Sequence, residues 1–123
     1  MIGEFDQEFT LNDFLINVKK TLNLKLLKHT KAHKNTIKKV AICGGSRVFL
    51  LKNAINLGAD AFITSDIKYH EFFDAENKLV LIDAGHYETE QFTPEIFYTI
   101  IQNKFPTFAV RLSKINTNPV NYF

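Results

Sequence analysis

Short apolar runs alternate with helix-like stretches through most of this chain, and that alternation restricts its fold more than any other feature. The runs cover residues 40–43, 61–64, 79–83 and 108–112; helical stretches at residues 46–57, 68–76 and 93–104 lie between them. Strand, helix, strand, helix is the pattern of βαβ units built around a parallel sheet. The runs are near-continuously apolar, as strands covered on both faces must be. The expected fold class is α/β, a mostly parallel sheet with helices on both faces.

Local signals sharpen this outline. Thr10 and Asp13 form a capping-box pattern, and Leu11, Phe14, Leu15, Val18 and Leu22 follow the spacing of one buried helix face, so a helix is expected from residue 10 to about residue 22. Residues 24–27 suggest a short strand, and residues 28–39 a basic loop ahead of the βαβ region. Gly58 reads as the glycine just past a helix end, and Pro94 as a proline at the first helical position behind Thr93. With 123 residues, 46% of them apolar and 12 of them Phe, the chain is expected to form one α/β domain over residues 1–123 without disulfide or structural metal.

Composition excludes several classes. The single cysteine, Cys43, lies inside an apolar run, which rules out a disulfide framework and cysteine-based zinc spacing and favours core over nucleophile. The acidic first ten residues lack the apolar stretch of a secretory leader, and no 18-residue apolar span exists, so a cytoplasmic protein without membrane attachment is expected. A net charge of +2 makes no case for nucleic acid. Lys28, Lys31, Lys34, Lys38 and Lys39 have no aromatic residues interleaved among them for stacking on bases. His29 and His33 are read as solvated within this stretch.

Ligands of open parallel sheets bind outside the carboxyl ends of the strands. Polar clusters follow three of the runs: Gly44-Gly45-Ser46, then Ser65-Asp66 with Lys68 and His70, then Asp83-Ala84-Gly85-His86 with Glu88 and Glu90. Gly44, Gly45 and Ser46 could present backbone N–H groups to a phosphate, or simply form a tight turn with Ser46 as helix cap. His86 and Glu90, four residues apart, are an imidazole and a carboxylate able to face one centre; mixed N/O donors suit zinc, iron or manganese. On spacing alone, a surface histidine with acidic neighbours is the commoner arrangement. Asp66 and His70 repeat the separation and read either as catalytic groups or as a helix cap and an exposed histidine.

These blocks carry a resemblance. Val40-Ala41-Ile42-Cys43-Gly44-Gly45-Ser46, Gly58-Ala59-Asp60-Ala61-Phe62-Ile63-Thr64-Ser65-Asp66-Ile67-Lys68-Tyr69-His70, and Ile82-Asp83-Ala84-Gly85-His86-Tyr87-Glu88-Thr89-Glu90, closed by Asn118-Pro119-Val120-Asn121-Tyr122, resemble in order the C-terminal signature of the Ngg-interacting-factor-three-like family, also described as GTP cyclohydrolase type 2 homologues. Ser65 and Arg47 stand where many members have glycine. The resemblance implies one half of a two-domain, dinuclear-metal protein in which His86 and Glu90 are metal ligands, the glutamate bridging two metals. The remaining ligands, a His-His pair and an aspartate, belong to an N-terminal half; no adjacent histidines occur in this chain. The full-length parent is then expected to be a homo-oligomer, a dimer or ring hexamer. Two functions follow as expectations: a metal-dependent hydrolase acting on a nucleotide, with this portion alone inactive, or a non-catalytic metal-binding regulatory or protein-interaction module.

Overall fold

The computed structural model describes residues 1–123 and divides into two compact units, Met1–Thr89 and Glu90–Phe123. The first holds a five-stranded sheet. In chain order its elements are β1 (Ile2–Thr10), α1 (Leu11–Thr21), β2 (Lys28–His29), β3 (Thr36–Ile42), α2 (Leu51–Asn56), β4 (Ala61–Thr64) and β5 (Val80–Asp83). The spatial order is β1-β3-β4-β5-β2. β3, β4 and β5 run parallel, with Val40 opposite Ala61 and Ala61 opposite Val80, so their carboxyl ends lie side by side.

The sheet is mixed rather than mostly parallel, because β1 and β2 add to the two edges in antiparallel sense. β1 escapes sequence reading for a physical reason. It is an exposed edge strand whose Gly3, Glu4, Asp6 and Glu8 disfavour strand; pairing with the open edge of β3 supplies the hydrogen bonds that composition does not. The strand expected at residues 24–27 forms instead at Lys28–His29. Leu24 is buried in the core and Asn23 turns through φ 51°, and pairing begins only where Lys28 meets Asp83. Thus β2 and β3 take up both ends of the 28–39 stretch.

Core packing explains the apolar runs. Successive strand residues point to opposite faces. Ala61, Ile63, Val80 and Ile82 pack beneath α1 with Phe14 and Val18, while Phe62 and Leu81 pack on the other side with Leu51 and Ala54 of α2. Helices therefore cover both faces, as expected. Thr10 caps α1 through its hydroxyl, which accepts the Asp13 N–H at 3.2 Å. The helix expected at residues 46–57 is shorter, a 3-10 turn at Val48–Leu50 followed by α2, and Arg47 rather than Ser46 precedes it. Residues 68–76 wind as a 3-10 helix, Tyr69–Ala75.

α3 (His86–Glu90) begins in the first unit and ends at the first residue of the second. The second unit contains α4 (Thr93–Lys104), over the expected residues but with Phe92 rather than Thr93 as its cap. The strand expected at residues 108–112 is not formed: no open strand edge is paired with it, and the chain beyond Lys104 has turns but no regular element. No helix is long and apolar enough to cross a membrane.

Candidate functional site

The three polar clusters emerge together at the carboxyl ends of β3, β4 and β5, where hydroxyls and carboxylates knit them into one framework. After β3, Gly45 turns through φ 69° and its N–H donates to the Thr89 hydroxyl at 3.0 Å. Its carbonyl accepts from the Thr64 hydroxyl at 2.9 Å and from the Ser65 N–H at 3.2 Å, and the Arg47 N–H donates back to Thr64 at 3.2 Å. The Gly45 and Arg47 amides are thus engaged by threonines. Gly44 is closely packed, since a Cβ there would sit 3.1 Å from the Thr89 carbonyl oxygen.

Asp83, at the end of β5, is buried with both carboxylate oxygens engaged. It pairs with Lys28 at 2.7 Å and accepts N–H bonds from Ile67 at 3.3 Å and Gly85 at 3.2 Å. It braces the loops. Glu88 is also buried, its carboxylate lying against Gly85, whose φ of 86° only glycine adopts readily. Ser65 is fully buried, with no hydrogen-bond partner for its Oγ.

Within this framework one pair faces solvent. His86 opens α3, and its Nδ1 lies 2.5 Å from Oδ2 of Asp66, with both side chains about half exposed (51% and 48%). Asp66 reaches it from the β4 exit in a left-handed conformation, φ 56°, which aspartate tolerates better than most residues. A carboxylate accepts, so Nδ1 carries the proton of this bond. His70 stands exposed in the 3-10 helix and takes no part in the pair. Glu90 is the exposed last residue of α3. No group of three or more His, Cys, Asp or Glu side chains able to hold a metal is assembled within the chain.

Sequence reasoning brought Asp66 forward with His70; the structure gives it to His86 instead. It also missed Thr64 and Thr89, ordinary threonines whose role depends on contacts 19 and 44 residues away. Of the two histidines of the basic stretch, His29 is exposed as expected and His33 is not. His33 is partly buried with a shielded Nδ1, and the Nδ1 of His29 lies 2.8 Å from the Thr30 carbonyl. Lys28 sits 5.8 Å from the centre of the Phe72 ring, an aromatic neighbour invisible in the linear lysine pattern.

Comparison with known proteins agrees with the resemblance seen in the signature blocks. A protein of Staphylococcus epidermidis described as GTP cyclohydrolase 1 type 2 homolog is 39% identical over 99% of this chain, and one of Staphylococcus aureus with the same description is 35% identical. The chain spans about a third of the length of these relatives, 34% in each case. Among solved structures, a Staphylococcus aureus protein matches 99% of the chain with a TM-score of 0.84 at 32% identity, the match covering 41% of that protein. A Bacillus cereus protein related to NIF3 matches 99% with a TM-score of 0.81 at 27% identity, covering 35% of its own chain. The model of the family Duf34/NIF3 (NGG1p interacting factor 3) matches residues 1–119, and the chain belongs to that family.

Proposed function

We propose that this chain is the divalent-metal-binding part of a metal-dependent hydrolase, contributing His86 and Glu90 to a dinuclear site that the remainder of a longer protein completes. The carrying observation is the Asp66–His86 pair at the strand ends. A histidine ligand ordinarily donates its second ring nitrogen to a carboxylate, which fixes the tautomer and aims the free nitrogen at the metal. Here Asp66 fills that place, so Nε2 of His86 is the donor atom. Glu90, one helical turn on, adds a carboxylate oxygen.

These donors fit zinc, iron or manganese by chemistry and fall short by number, since a catalytic centre takes about three protein ligands. The missing ligands therefore come from outside these residues, in keeping with relatives about three times as long. Two such ions would supply Lewis acidity and an activated water for attack on a nucleotide substrate. Asp66 keeps the Nδ1 proton in place, while Asp83 and Glu88 hold the loop that presents His86. The full-length protein is proposed to be a homo-oligomer.

The test is titration of zinc and manganese into full-length protein beside its variants. Asp66→Asn is expected to weaken metal binding by roughly 10–100-fold, and His86→Ala by more. Unchanged affinity in His86→Ala would remove the site from this residue. Hydrolysis of GTP and related nucleotides by the metal-replete protein should vanish with chelator and in Glu90→Ala. The second reading, a non-catalytic interaction module, draws support from α4, whose Ile96, Phe97 and Ile100 are all more than half exposed. Bound metal without any turnover would favour it.

A further inference from the structure

A cleft of about 390 Å³ lies between the 3-10 helix Tyr69–Ala75 and the segment entering from β2, within the size range of small-molecule sites. Its lining combines Lys28, His29 and Lys31 with Tyr69, Phe73 and Glu76. Tyr69 and Phe73 pack edge to face at 5.4 Å, yet 80% of Tyr69 and 56% of Phe73 are exposed, so the pair does little for the core. Exposed, mutually braced aromatic rings offer a planar group a stacking surface. Facing them are the ammonium groups of lysines and the ring of His29. Lys28 is tied to Asp83 and forms part of the wall, whereas the Lys31 ammonium extends into solvent. The Thr30 carbonyl can only accept, so Nδ1 of His29 is the proton donor and Nε2 presents a lone pair that can accept from a ligand hydroxyl. Glu76 adds an acceptor suited to the N–H edge of a base.

We propose that this cleft binds a nucleotide, its base stacked on Tyr69 and Phe73 with an N–H edge toward Glu76, its phosphates against Lys31 and a ribose hydroxyl toward His29. A flat ring and a polyanion within one molecule match the two halves of the lining, which neither a simple anion nor an apolar ligand would use together. The inference stands apart from the metal proposal, because none of these residues is assigned to metal.

Titrations of GTP, ATP, guanosine and inorganic triphosphate, followed by amide chemical shifts with EDTA present, test it. GTP and ATP should saturate below about 1 mM, shifting the amides of Lys31, Tyr69 and Phe73, with guanosine and triphosphate each about tenfold weaker or worse. Tyr69→Ala with Phe73→Ala should weaken GTP about tenfold or more, the loss of a base stack, while sparing triphosphate; Lys31→Ala should weaken triphosphate and GTP while sparing guanosine. Because these side chains are largely exposed, the variants should keep the parent's spectrum elsewhere. Triphosphate binding as tightly as GTP, no saturation by any mononucleotide, or saturation only by a single-stranded 12-mer, as for a nucleic-acid surface, would each overturn the proposal. With EDTA present, none of these outcomes bears on the metal site.

Discussion

Asp60, at the amino end of β4, shows how one buried side chain can organise its surroundings. Burial acts to raise its carboxyl pKa, but the Lys34 hydrogen bond at 2.6 Å, the N–H bonds from Lys39 and Lys38, and the Lys34 charge together hold it below the ordinary carboxylate value. A carboxylate with a depressed folded pKa contributes stability above its unfolded pKa and loses it as pH falls through the folded one. Asp60→Ala should therefore cost about 2 kcal/mol near neutral pH, the scale of hydrogen bonds to a charged group. In urea melts the gap to the parent should close below about pH 4, and a gap independent of pH would show the carboxyl is not depressed. Ser65 tests the opposite case. Its hydroxyl is buried without a partner, so Ser65→Ala should be neutral or stabilising by up to about 1 kcal/mol; a clear loss would mean the hydroxyl is bonded after all.

At the scale of elements, two glycines in left-handed conformation separate backbone strain from crowding. Gly58 closes α2 in a Schellman arrangement, its N–H donating to Ile55 and that of Ala59 to Ala54, with open space where a Cβ would go. Gly58→Ala should cost about 1–2 kcal/mol from backbone strain alone. At Gly85 the same strain is joined by collision with the buried Glu88 carboxylate, whose Cδ would lie 2.9 Å from the new Cβ. Gly85→Ala should cost more than Gly58→Ala, about 3 kcal/mol, and in the full-length protein should also loosen metal binding through the displaced start of α3. Equal losses in thermal melts would show that Glu88 can move aside. The glycine just past α2 was legible in the sequence because helix ends have local chemistry. The crowding at Gly85 was not, since it depends on where Glu88 is driven by burial.

For the whole molecule, the first unit carries its own apolar core on both faces of the sheet, with Phe14, Phe62, Leu79, Leu81 and Ile82 almost wholly buried. Each such side chain contributes about 1.5–3 kcal/mol, so the fold should not rest on metal. Chelator should move the melting temperature of this chain by less than about 2 °C; a large drop would show that metal is structural. By itself the sequence determined the strand and helix alternation of residues 40–104, the cap of α1, and the polar residues at the strand ends, because propensity, capping and apolar runs are set by near neighbours. Only the tertiary structure decided that β1 and β2 close the sheet in antiparallel sense, that Asp66 serves His86 rather than His70, and that lysines of the basic stretch meet the aromatic residues of the 3-10 helix. Those outcomes depend on which distant segments find one another when the core is buried, a choice made by packing and unpaired strand edges rather than by any local pattern.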